Sequence, residues 1–412
     1  MITQILLALA IAISPLYLWQ SGLPQIGHAI AALPAALLFF RAKPWRFKPH
    51  LFGLAFAAYA VVVNLVVFAL YRDTKTLLSA FYYPFNFLVW NATVWTLVDQ
   101  NGQAHTKKFL LLLRLALWLF LLMETAMVTT GWYTGWKAQR PTGTFNDPNQ
   151  LSHWVVWTVV VITSEAWLNR RSLVDGFAAL VAGSICVFYA ASRSGAIGMA
   201  TAILGYGFLA ASSLRFAAAL TRIYAIVAVA AATLIVTAAA YDSIRSVLAD
   251  VPLNALARLQ ETDWRLELEK RGYDRLYKYP FLCITGAGEG AEWRWYMRCW
   301  FTGEIHSTPA NLLFSYGLPG SLFFLLFWLK QWLRLPGPGL KIMAIAPLVY
   351  SLGTYSLRNW TLWIGMGLLY GLARFAEDRY HPLCDCSAAA SPKRPNLLKA
   401  RVGQSPPLGL QA

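Results

Sequence analysis

The sequence predicts an all-α polytopic membrane protein with about twelve transmembrane helices and one long outer loop containing amphipathic helices. Three observations carry that prediction. Of 412 residues, 58% are hydrophobic and only 13% are charged, whereas a soluble domain carries about a quarter charged residues. Apolar runs long enough to cross a bilayer recur from end to end, each close to the roughly twenty residues that a spanning helix needs. The formal net charge is nevertheless +16, and basic residues kept on cytoplasmic loops are what fix membrane topology. Composition excludes a soluble globular protein, and the basic excess needs no nucleic acid to account for it.

Taken in order, the spans fall near Ile2–Trp19, Gln25–Phe40, Leu51–Tyr71, Ser79–Val98, Phe109–Thr130, Leu151–Trp167, Leu173–Ala190, Gly195–Ala211, Ile223–Ala240, Pro309–Leu329, Ile342–Ser356 and Leu362–Leu372. Short connections on one side hold thirteen Lys and Arg, and those on the other hold six. The first set is expected to be cytoplasmic, with both termini inside. Met1–Gln4 has no basic residue and no small-residue cleavage site follows, so the first run reads as an uncleaved span.

Two regions fall outside the membrane pattern. Tyr241–Ser307 is a polar loop placed on the outer side, with nine basic and ten acidic residues. Within it Thr262–Tyr279 reads as an amphipathic helix, with Trp264, Leu268, Gly272 and Leu276 on one stripe and Glu267 and Arg271 spaced i, i+4. A loop of this length is usually functional or disordered, and its Trp and Tyr content argues for order. The expected division is a transmembrane core over 1–374, including the 241–307 loop, and a disordered cytoplasmic tail over 375–412, where Pro, Ala, Ser, Lys and Arg dominate from Pro382 onward.

Charges at a membrane edge are costly and point to function. They gather on the outer side in four segments: Gln139–Asn149 (QRPTGTFNDPN), Ser192–Gly195 (SRSG), Asp263–Gly290 and Ile305–Gly320. Arg193 lies in a tight connection with no acidic neighbour in sequence. Its forked donors suit phosphate oxygens, and small flanking residues let a ligand approach the backbone; the alternative is an interfacial Arg snorkelling to lipid headgroups. Arg265 has Glu261 and Glu269 four residues away on either side, so an ordinary surface ion pair competes with a ligand role. Arg140 follows Trp132, Tyr133 and Trp136 and has an aromatic-belt anchor as its alternative. His306 precedes a span, followed by Ser307, nine further residues to Gly317 and Gly320 beyond. An imidazole there can act as general base toward a hydroxyl, and the glycines allow close helix packing; a structural membrane-edge His is the alternative. His153 and His28 are weaker candidates. Glu124, inside the fifth span, pairs with another span or lines a cavity.

Other signals carry less. Gly286, Gly288 and Gly290 resemble part of a nucleotide fingerprint but lack the strand-turn-helix context, so a turn is expected. Five Cys are too few and scattered for a zinc site or a disulfide scaffold. Cys283 and Cys299 share the outer loop and can pair in an oxidising compartment, whereas Cys384 and Cys386 face the reducing side.

With RPTGTFNDPN after the fifth span, SRSG after the seventh, DWR in the long loop and then His306-Ser307 followed by Gly317 and Gly320, the chain resembles the bacterial O-antigen ligase and O-antigen polymerase superfamily over roughly residues 100–375. It is most like the ligases. The resemblance implies a glycosyltransferase of the bacterial inner membrane with its active site facing the periplasm. Its donor would be a glycan on undecaprenyl pyrophosphate, its acceptor a sugar hydroxyl of the lipid A core. By position, Arg193 and Arg265 would hold the donor pyrophosphate and His306 would activate the acceptor. Arg140 and Asn149 match an earlier outer motif and would contribute to substrate binding. The family is taken to need neither metal nor nucleotide cofactor.

A polymerase shares the donor and the arginines and differs in its acceptor. A protein O-glycosylating transferase would carry a sizeable extra outer domain. A transporter or flippase would place binding charge near the midplane, where this sequence has almost none.

Overall fold

A computed structural model describes residues 2–19, 24–41, 50–98, 103–131, 140–169, 173–212, 268–295, 299 and 303–380. The described residues are helical, with no β-strand among them. The main helices are α1 (Ile2–Ala12), α2 (Ile26–Arg41), α3 (His50–Tyr71), α4 (Thr74–Val98), α5 (Gln103–Thr129), α6 (Pro148–Leu168), α7 (Val174–Tyr189), α8 (Arg193–Ser212), α11 (Thr308–Trp332), α12 (Gly337–Leu352) and α13 (Trp360–Tyr380). Between α8 and α11 lie two short helices, α9 (Asp274–Lys278) and α10 (Leu282–Thr285), and a 3-10 turn at Glu292–Trp295. The expected span Ile223–Ala240 lies outside the described residues.

Among the described residues five helices are long and apolar enough to cross a membrane: His50–Tyr71, Thr106–Thr129, Pro148–Leu168, Arg193–Ser212 and Thr308–Trp332. The chain is therefore a helical membrane protein. Helices α1, α7 and α12 are apolar but shorter, and α4 is long but polar. Its Asn86, Asn91, Thr93 and Thr96 are buried inside the bundle, where Thr93 and Thr96 donate to carbonyls one turn back at 2.8 Å. Polar groups turned away from lipid in this way tolerate a membrane setting.

The bundle is built around α6, whose residues are almost all buried. It packs on α7, α8, α12 and α13, while α8 and α12 make the most extensive pair and α4 bridges α3 to α13. Close approach depends on small residues: a Cβ on Gly205 would meet Met343, and one on Gly339 would meet Leu209, each at the α8–α12 seam. Caps set the ends. Asp147 caps α6, accepting from Asn149 N at 2.6 Å ahead of Pro148, and Ser307 caps α11 ahead of Pro309.

Helix α11 breaks at Gly317, where φ is 63° and ψ −169°. The break and Pro319, which lacks an N–H, leave the carbonyls of Phe314 and Ser315 without intrahelical donors. The segment before α11 supplies them: Ala287 N and Gly288 N donate to those two oxygens at 2.8 Å each. Gly286, Gly288 and Gly290 all have positive φ, so the glycine run is a strap docked into the helix break and not a simple turn. Of the two glycines of the His306 motif, Gly320 lies close against Tyr59 of α3, the helix packing expected, whereas Gly317 faces the backbone of Ile284 and Gly286.

Other elements also differ from expectation. The first span ends early, with α1 stopping at Ala12 before Pro15. The expected helix Thr262–Tyr279 is interrupted, since Gly272 at φ 83° separates a turn ending at Lys270 from α9; Glu267 lies outside the described residues. Helix α12 ends at Leu352, not Ser356, and α13 extends to Tyr380, so 375–380 belong to the bundle and not to a tail. Residues 381–412 lie outside the described part. Cys283 and Cys299 are free thiols packed in a small apolar cluster with Trp295, Ile305 and Phe314.

Candidate functional site

Four of the connections meet at one end of the bundle. The segment after α5 is fixed from below by Glu124, which is buried and accepts from Thr144 through both the backbone N–H, at 3.1 Å, and the hydroxyl. That carboxylate thereby anchors the loop that carries Arg140 and Asn149. Arg140 Nη1 donates to Ala191 O at 2.9 Å. Asn149 Oδ1 accepts from Ser192 Oγ at 3.2 Å. Both residues thus clasp the turn before α8, where Ala191 takes a positive φ of 49° and Ser192 Oγ accepts from Gly195 N at 3.2 Å.

Arg193 is the first residue of α8 and half-buried. Its small neighbours are closely packed. A Cβ on Gly195 would lie 2.8 Å from atoms of Ser152 and Val187, and Ser194 fills the space beside Gly353. Tyr350 donates to Asn149 O, joining α12 to the same turn, and its ring packs on the buried His153 at 5.0 Å between centroids.

The Gly353–Asn359 turn joins these parts to the outer loop. Arg271 Nη1 donates to Gly353 O at 3.4 Å, Thr308 N donates to Thr354 O at 3.1 Å, and His306 N donates to Arg271 O at 3.0 Å. His306 is exposed beside the capped start of α11. A continuous set of contacts therefore runs from Arg140 and Asn149 through Ser192, Ser194, Gly353 and Arg271 to His306. Of the candidates read from sequence, Arg140, Asn149, Arg193 and His306 lie on this one face, and Arg265 lies outside the described residues.

Sequence reasoning missed two arginines here. Arg271 was expected only as an i, i+4 partner of Glu267, yet it bridges His306 to the α12–α13 turn. Arg358 was only a topology charge, yet it stands in a buried polar cluster. Its Nε lies 3.6 Å from Glu289 Oε2, and its Nη2 pairs with Glu304. Glu289 Oε1 accepts from Tyr83 Oη at 2.6 Å and from Tyr355 Oη, while Glu289 N donates to Asn64 Oδ1 at 2.8 Å. Burial pushes the Glu289 carboxyl above the usual carboxylate range, against the lowering pull of Arg358 and the two hydroxyls. The one available signal was Glu289 itself, an acid inside a glycine run.

Among the described residues no three His, Cys, Asp or Glu side chains come together as a metal-ligand group. What the face offers is the arginines Arg140, Arg193 and Arg271 and one exposed histidine, His306, tied into one set of contacts; guanidinium and imidazole groups suit an oxyanion and a hydroxyl. No protein-family model matches the chain, and no curated protein matches it.

Proposed function

We propose that the chain is an O-antigen-ligase-like glycosyltransferase. In this reading it moves a glycan from undecaprenyl pyrophosphate to a sugar hydroxyl of the lipid A core, at the periplasmic face of a twelve-span inner-membrane protein with both termini in the cytoplasm. The observation that supports it is the chain of contacts that links Arg140 and Asn149 to the turn before Arg193, and that turn through Ser194, Gly353 and Arg271 to His306.

The chemistry follows from those groups. The acceptor hydroxyl attacks the anomeric carbon while its proton passes to the His306 imidazole. The bond between that carbon and the phosphate oxygen breaks, and undecaprenyl pyrophosphate leaves with the electron pair. Charge growing on the leaving group is stabilised by fixed guanidinium donors, Arg193 and Arg265 first among them, in a water-poor site. Attack opposite the leaving group inverts the anomeric centre. Guanidinium charge does the work that a divalent ion does in other transferases, so the reaction is metal-independent.

The experiment is a gel assay with purified protein, lipid-linked glycan donor and lipid A core. Glycan appearing on the core supports the ligase reading. Lengthening of the donor glycan without any transfer to core would make the protein a polymerase instead.

A further inference from the structure

Arg358 is held differently at its two edges. The Nε edge faces Glu289, which is 2% exposed and pinned by Tyr83, Tyr355 and Asn64. The Nη edge faces Glu304, which is 37% exposed and sits two residues before His306. The rings of Tyr82 and Tyr355 flank the guanidinium at 5.7 and 5.5 Å, and Asn86 Nδ2 donates to the Arg358 carbonyl at 3.0 Å, fixing its backbone.

Glu289 and Glu304 face the same guanidinium, Glu289 at 3.6 Å from Nε with its Oε1 taken by two tyrosine hydroxyls. Glu304 is thus a second carboxylate on one cation, in a partly exposed ion pair, which is a weak interaction. A guanidinium fork accepts carboxylate and phosphate oxygens in the same geometry. The Gly353–Asn359 turn that carries Arg358 also touches Ser194 and Arg271 through Gly353, so this fork belongs to the face already described.

We infer that Arg358 is a further anion-binding arginine of this face, that Glu304 occupies its outer fork as a built-in competitor, and that a pyrophosphate takes the place of that carboxylate. The inference rests on the reading of the face as a pyrophosphate-donor site. Because Glu304 and His306 share one short segment, the exchange also releases the stretch that carries the imidazole.

The test measures binding of undecaprenyl pyrophosphate and of inorganic pyrophosphate to the full chain in nanodiscs. Glu304→Gln is expected to tighten binding about threefold or more, the effect of removing a partly exposed competing ion pair. Arg358→Gln is expected to weaken it about tenfold, as for loss of a charged hydrogen bond, and in that background Glu304→Gln brings no gain. Unchanged or weakened binding in Glu304→Gln overturns the inference, as does an equal gain in both backgrounds. Arg358→Gln leaves Glu289 without its cation; where it fails to fold, Glu304→Gln, which alters only a partly exposed carboxylate, decides alone. A gain with the lipid-linked probe supports the donor as the source, whereas a gain with inorganic pyrophosphate only overturns that assignment. A wild-type protein that transfers glycan with affinity indifferent to Glu304 keeps the proposed function and overturns this inference. The binding pattern in a protein that transfers nothing does the reverse.

Discussion

Gly317 of α11 and Ile284 of α10 meet backbone to backbone. The Ile284 carbonyl stands where a Cβ on residue 317 would be, and Gly286 N lies 2.8 Å from the same point. This contact is what lets the strap 286–290 reach the freed carbonyls of α11 and carry Glu289 into the bundle.

Gly317→Ala is therefore expected to undock the strap. At φ 63° and ψ −169° the backbone is in a region open essentially to glycine alone, which costs another residue about 1–3 kcal/mol, and the Cβ clash adds to it. Asn tolerates the left-handed helical region, whose ψ is different, and brings the same Cβ, so Gly317→Asn should fare no better than Ala. Hydrogen exchange of the 282–295 segment checks this: both variants lose protection there, and retained protection in either would contradict the requirement for glycine.

Glu289→Ala leaves the hydroxyls of Tyr83 and Tyr355 without their shared buried acceptor, a loss of about 1–3 kcal/mol for each. Tyr83→Phe removes one donor and leaves Tyr355, a smaller loss of about 1–3 kcal/mol. Thermal unfolding in detergent should rank the two variants in that order.

Arg193→Ala and Arg265→Ala should each abolish transfer, a drop on the order of a hundredfold or more for a lost transition-state donor, with protein level and membrane insertion unchanged. Near-normal transfer in either variant sinks the assignment of that arginine. Arg271→Ala should also lower transfer, because it removes the guanidinium contact to Gly353 O that ties the Arg271 backbone, and with it His306, to the Gly353–Asn359 turn.

His306→Ala should lose turnover by about 10²–10⁴-fold, the range for general-base catalysis, while still binding undecaprenyl pyrophosphate. Loss of donor binding with turnover retained would contradict its role.

Much of the fold was legible because apolar runs and caps are local signals. Pro148 behind Asp147 and Pro309 behind Ser307 mark where α6 and α11 begin, and the SRSG connection marks the start of α8. Arg140, Asn149, Arg193 and His306 were legible as polar groups between such runs. The Glu289 cluster was not, because its partners are distant in sequence: Tyr83 stands 206 residues from Glu289. Nor was the Gly353–Asn359 turn, since Leu352 to Leu357 continues the apolar run of α12 with no charge to interrupt it before Arg358. The break in α11 needed both Gly317 and Pro319 to be read against a segment some thirty residues earlier, and short-range patterns do not reach that far.

The central claim is tested most directly by incubating purified wild-type and Arg193→Ala protein with undecaprenyl-pyrophosphate-linked glycan and lipid A core, in EDTA and without nucleotide. The account predicts glycan on the core with the wild-type chain only, with inverted anomeric configuration and release of undecaprenyl pyrophosphate. Transfer that requires a restored divalent metal, or that proceeds equally with Arg193→Ala, would contradict it.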